Sequence, residues 1–133
     1  VSLDDRTATP VVTFSFGRDA GAVRAVRSAL QPLFDVDREL AEDVRLVASE
    51  LVSNVVLHTQ GGGRLVVWAD DRVRIEVHDQ DPTAPVVLDV SISSITGRGL
   101  AIVSGIADRW GVERRDDGKA TWAEFHRQLN LGA

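Results

Sequence analysis

Cysteine is absent from the 133-residue chain, which excludes disulfides, thiolate metal sites and cysteine nucleophiles. Lysine is almost as scarce: Lys119 stands alone, and every other basic residue of the fifteen is arginine. The arginines are scattered, Arg114-Arg115 being their one adjacent pair, and the net charge is −5. A nucleic-acid footprint concentrates positive charge on one face, so direct nucleic-acid binding is set aside. No apolar run approaches the roughly 20 residues of a membrane-spanning helix. The first 20 residues carry Asp4, Asp5, Arg6, Arg18 and Asp19 with no long apolar stretch, so no signal peptide is expected either. The expected location is the cytoplasm, away from any membrane. Several chemical signatures are missing too. The P-loop pattern is absent, and the dinucleotide fingerprint fails because Ile102 holds its last position. His58, His78 and His126 lack metal-ligand spacing. Ser49, Ser53 and His58 form no nucleophile elbow.

What remains is an ordinary globular composition, 44% apolar and 26% charged. With no repeat, linker or low-complexity tract, one domain spanning 1–133 is expected, residues 1–10 being a flexible tail. Val12, Phe14 and Phe16 alternate as in a half-buried strand. Asp19 offers an N-cap for a helix carrying Val23, Val26 and Leu30, ended by Pro32. Asp37 opens the longest helical pattern, to about His58, with Leu40, Val44, Val47, Leu51 and Val55 forming one apolar stripe. Gly61-Gly62-Gly63 stops it. Arg64 to Ala69 and Arg72 to Asp79 read as a hairpin turning at Asp70-Asp71. Pro82 to Gly97 reads as a loop, and Arg98 to Arg109 as a third helix. Val112 to Arg115 and Ala120 to Arg127 are the last two strands. Trp110 and Trp122 sit at core-like positions. The order β-α-α-β-β-α-β-β predicts an α+β fold, a two-layer sandwich with helices on one face of a mixed, mostly antiparallel sheet.

Three places set polar or flexible residues where pattern asks otherwise. Glu50 and Asn54 lie four residues apart on the long helix, at the rim of its apolar stripe. An amide and a carboxylate there suit a hydrated metal and an activated hydroxyl; equally, they suit a solvated helix edge. Asp79 falls by period-two counting on the apolar face shared by Val73, Ile75 and Val77. Either a ligand N–H satisfies its carboxylate, or the strand ends at His78 and Asp79 opens a turn. Gly97-Arg98-Gly99 precedes an apolar run, and backbone amides at a helix start accept anions such as phosphate. A plain turn has the same appearance.

Taken in order, these segments resemble the nucleotide-binding motifs of the histidine-kinase-like ATPases, the family of gyrase and the sensor kinases. Ser49-Glu50-Leu51-Val52-Ser53-Asn54-Val55-Val56-Leu57-His58 is similar to the N box, and Val77-His78-Asp79-Gln80-Asp81 to the first glycine box. Gly97-Arg98-Gly99-Leu100 resembles the second glycine box. Gly118-Lys119-Ala120-Thr121-Trp122-Ala123-Glu124-Phe125 resembles the closing strand of the base pocket. The short chain and the run Leu100 to Gly111 look like the anti-sigma-factor serine/threonine kinase branch common in actinobacteria.

That resemblance implies a Bergerat-type ATP-binding fold, with ATP and Mg2+ as cofactors and residues 82–97 as the ATP lid. Asn54 would hold the metal, Asp79 would read the adenine amino group, and Thr121 would support the base pocket. Gly97, Arg98, Gly99 and Leu100 would cradle phosphates, and Glu50 would be the general base. A sigma factor and an anti-sigma-factor antagonist with a target serine or threonine would be the partners, and a homodimer is common in the branch. Asp81 and Pro82 stand where many relatives carry glycine, which favours the other reading of the motifs, a nucleotide-dependent binding module without phosphoryl transfer.

Overall fold

The computed structural model describes residues 9–31, 38–59, 61–80 and 95–126. Their elements run β1 (Val12–Phe16), α1 (Ala22–Ala29), α2 (Arg38–His58), β2 (Gly63–Ala69), β3 (Val73–Asp79), α3 (Ile95–Ile106), β4 (Arg109–Arg115) and β5 (Gly118–Phe125). This is the order read from the sequence. The five strands form one sheet in the spatial order β1-β2-β3-β5-β4. Every pairing is antiparallel, so the sheet is antiparallel throughout rather than mixed. Most of the expected tail, Asp37 and the greater part of the expected lid lie outside the described residues.

The predicted stripe of α2 is the centre of the core. Leu40, Val44, Val47, Leu51 and Val55 are all under 5% exposed and meet Leu65, Val67, Ile75 and Val77 from β2 and β3. Full burial of each such side chain contributes about 1.5–3 kcal/mol. α2 packs on both α1 and α3 and rests on β2, β3 and β5. Its end is built locally: Thr59 Oγ1 lies 2.8 Å from the Val55 carbonyl and 2.9 Å from that of Gly61.

Some boundaries move. The cap of α1 is Gly21 rather than Asp19, because Asp19 shapes the preceding turn: its Oδ1 accepts the Gly21 N–H at 2.8 Å. α3 begins at Ile95, two residues before the loop was expected to end, so Gly97 and Gly99 are helical. Glycine disfavours helix interiors by about 1 kcal/mol relative to alanine, and packing of α3 on α2 outweighs that preference. The same helix stops at Ile106, not Arg109. Asp108 N–H already donates to the Glu124 carbonyl at 2.9 Å, drawing the chain into the sheet. Trp110 is therefore a strand residue, packed against the core.

The sheet face away from the helices is polar but not solvated. Arg74, Glu76 and Glu124 are 6%, 0% and 0% exposed. Long side chains cover one another there. Arg74 lies 4.5 Å over the Trp122 ring, with Arg109 at 5.8 Å, so Trp122 belongs to this face and not to the inner core.

Candidate functional site

Strand register decides what surrounds Asp79. It is the last residue of β3, on the same face as Val73, Ile75 and Val77, and only 1% of its side chain is exposed. β3 runs through Asp79, so the reading in which the strand ends at His78 and Asp79 opens a turn is overturned. Its cross-strand neighbours are Gly63 on β2 and Lys119 on β5. Lys119 Nζ donates to Asp79 Oδ1 at 3.0 Å. The carboxylate is thus held by a buried ammonium, which offsets much of the cost of taking its charge out of water.

Glycines let neighbouring backbone close on this strand end. Gly118 has φ +151°, and a Cβ there would lie 1.9 Å from the Asp79 carbonyl oxygen. A Cβ on Gly63 would lie 2.4 Å from the His78 carbonyl. Beside them a cavity of about 640 Å³ opens, reaching Gly63, His78, Asp79, Arg115 and Lys119. His78 points to the opposite face, where its Nε2 lies 2.8 Å from Glu76 Oε1.

Thr121 pairs with Val77 and so stands one step diagonal to Asp79, on the same face of the sheet. The structure brings these two expected residues together. Glu50 and Asn54 are one turn apart on α2, each half-buried, as the rim positions required. They stand in the helical layer, outside the walls described for the cavity. Gly97, Arg98, Gly99 and Leu100 fall in the first turns of α3. The first four amides of a helix have no intrahelical acceptor. By that count the anion-accepting amides among the described residues are those of residues 95–97, and Gly99 lies three residues deeper in the helix than a start at Arg98 would put it.

Lys119 was missed as a site residue. The signal existed: period-two counting from Thr121, Ala123 and Phe125 puts a lysine on the core face of β5, the argument that singled out Asp79 on β3.

A family model described as the histidine kinase-like ATPase domain matches residues 16–125. The uncharacterized protein SCO4941 of Streptomyces coelicolor is 35% identical over 82 residues, covering 57% of this chain and 78% of that protein. The crystal structure of the RsbU and RsbW domains of Rv1364c from Mycobacterium tuberculosis superposes with a TM-score of 0.67 at 20% identity, over 91% of this chain. The chain spans 33% of that structure's length, and at this identity the likeness is one of fold. No helix among the described residues is long and apolar enough to cross a membrane. Since the matched span takes in every element from the end of β1 to the end of β5, with the buried Asp79 at its centre, the chain belongs to the histidine kinase-like ATPase family.

Proposed function

We propose that this protein is an ATP-dependent serine/threonine kinase that phosphorylates an anti-sigma-factor antagonist in the cytoplasm and so regulates transcription by partner switching. The observation that carries the reading is the buried Asp79 carboxylate at the end of β3, in a fold whose long helix presents Glu50 and Asn54 on one half-buried edge. The fold likeness to a protein containing an RsbW domain supports the same branch.

Asp79 accepts a hydrogen bond from the adenine amino group, and a buried site that pairs this group rejects bases lacking it. Thr121 supports the base from the neighbouring strand. Amides at the start of α3, with Arg98, hold the phosphates. Asn54 offers one hard amide oxygen, which fits magnesium: that ion takes few protein ligands and keeps phosphate oxygens and water. When bound, the metal supplies neutralisation of phosphate charge. Glu50 takes the proton from a partner's serine or threonine hydroxyl as that oxygen bonds to the γ-phosphorus. The bond from phosphorus to the β-γ bridging oxygen breaks, and ADP leaves. Positioning and charge stabilisation are most of what this reaction asks of a protein. The transferred phosphate then adds roughly −1.5 to −2 charges to the partner's docking surface.

Asp81 and Pro82, in place of glycines, favour the second reading, a nucleotide-dependent module that captures a regulator without phosphorylating it. Calorimetric titration with magnesium-ATP and a phosphotransfer assay on an antagonist protein separate the two. Saturable ATP binding is expected in the unaltered protein and its loss in Asp79→Asn. Glu50→Gln should still bind ATP but transfer phosphate at least about a hundredfold more slowly, as loss of a general base implies. Transfer at the normal rate by Glu50→Gln removes Glu50 from the chemistry. Binding without transfer in the unaltered protein selects the module.

A further inference from the structure

Among the described residues three large apolar side chains are exposed: Val11 at 44%, Leu46 at 41% and Leu57 at 52%. A single exposed leucine means little on a protein surface. Leu46 and Leu57, however, share one helix and one ridge with Glu50. At about 100° per residue they fall about 40° and about 20° to the same side of Glu50, and roughly 120–140° from the mean direction of the core stripe. Neither can serve the core. At about 1.5 Å per residue, Leu46 stands about 6 Å before Glu50 along the axis and Leu57 about 10 Å beyond it. Apolar side chains thus bracket the carboxylate assigned to the acceptor hydroxyl.

The two ends of the ridge differ in charge. Glu39, on the ridge, and Glu42, beside it, are both exposed and lie N-terminal to Leu46. The basic residues of α2, Arg38 and Arg45, lie about 120–140° from Glu50, off the ridge. At the other end the exposed Arg18 donates from Nε to the Val56 carbonyl at 3.2 Å, which sets its charge beside Leu57. Its neighbour Asp19 turns back to the Gly21 amide. We infer that this ridge docks the substrate segment carrying the target serine or threonine. The segment has apolar side chains on both sides of the hydroxyl. A basic residue follows the one that meets Leu46, and an acidic residue the one that meets Leu57. In extended chain, at about 3.3 Å per residue, the apolar side chains stand about two residues to one side of the hydroxyl and about three to the other. The inference rests on the role given to Glu50 above and adds the class of substrate to it.

The test titrates fluorescein-labelled serine peptides of this pattern with the full chain and reads binding by anisotropy. The peptides carry leucine at the two apolar positions, lysine at one end and glutamate at the other, and are made in both chain directions; a control set has alanine for leucine. In one direction the leucine peptide should bind about tenfold or more tightly than its control, the order expected when two pairs of leucines are partly buried. Exchanging the end charges should weaken binding at low salt. The double variant Leu46→Ala/Leu57→Ala, which keeps good helix formers on α2, should bind ATP as the unaltered protein does and bind leucine and alanine peptides alike. Equal binding of the two peptides by the unaltered protein, binding of neither, or discrimination that persists in the double variant overturns the inference. Phosphate transfer from ATP to the bound peptide is followed in the same samples. A leucine peptide that binds as expected and receives no phosphate upholds the ridge as a docking surface and overturns the kinase reading instead.

Discussion

Arg74→Met is the substitution whose cost the structure allows to be worked out. Arg74 sends its three nitrogens to three carboxylates: Nε to Glu76 at 2.8 Å, Nη1 to Glu124 at 2.8 Å and Nη2 to Glu113 at 3.3 Å. Glu76 and Glu124 are fully buried, so water cannot replace the lost partner. Methionine keeps an apolar stem but withdraws the charge. Glu76 would retain His78 at 2.8 Å and Arg115 at 3.6 Å; Glu124 would retain Arg72 at 3.8 Å and His126 at 3.3 Å. Removing one partner of a buried ion pair costs about 3–5 kcal/mol. Those retained partners argue for the lower half of that range. Loss of the contact with the Trp122 ring adds about 0.5–1 kcal/mol, so about 3.5–5 kcal/mol is expected in total. For a chain of 133 residues the unfolding entropy is about 0.28 kcal/mol/K, which turns this into a fall in Tm of about 12–18 °C. Denaturant titration followed by circular dichroism at pH 7 measures the first figure and calorimetry the second. Adding Glu76→Gln and Glu124→Gln should recover part of the loss, since no charge is then stranded. A loss below about 1 kcal/mol, the worth of an exposed ion pair, would refute the claim that this cluster is a desolvated one.

Gly118→Ala forces a side chain onto a backbone at φ +151° with its Cβ 1.9 Å from the Asp79 carbonyl. It should cost about 1–3 kcal/mol from strain alone and weaken ATP binding by shifting Asp79; an unchanged Tm together with unchanged affinity would contradict the close approach. At the β2–β3 turn, burial alone would raise the Asp70 carboxyl. A hydrogen bond shared with the Asp71 side chain, hydrogen bonds from the Arg72 and Asp71 backbone and the Arg72 charge instead hold it below its ordinary 3.8. A carboxyl depressed by folding stabilises above its unfolded pKa, and that contribution disappears as pH falls through the folded value. The stability difference between the unaltered protein and Asp70→Ala should therefore be steady near neutrality and shrink once the pH drops below 3.8. A difference independent of pH down to acid unfolding would show that the turn gains nothing from the charge.

Element type was readable wherever periodicity was strong. The five stripe positions of α2 and the alternation through β3 are both found in the core. Boundaries slipped where local preference and packing disagreed, at Gly97 and Gly99, and where one backbone hydrogen bond from Asp108 ended α3 early. Alternation tells which residues share the face opposite the helices and not whether their side chains shield each other. Arg74, Glu76 and Glu124 are 50 residues apart at their widest, and only the β3–β5 pairing makes them one cluster.

Asp79, Glu50 and Asn54 were legible as exceptions to pattern, since a polar residue on or beside an apolar face is visible in one dimension. Their order along the chain also carried the family resemblance. Whether Asp79 ended a strand in the core or opened a turn was not so decided. That required the partner on β5, because a buried carboxylate is stable only with a donor, and Lys119 lies 40 residues away. The sequence by itself determined which residues prefer the core and in what order helices and strands follow. Tertiary structure alone decided which charges meet, because strand register sets cross-strand distance and no short-range preference encodes it.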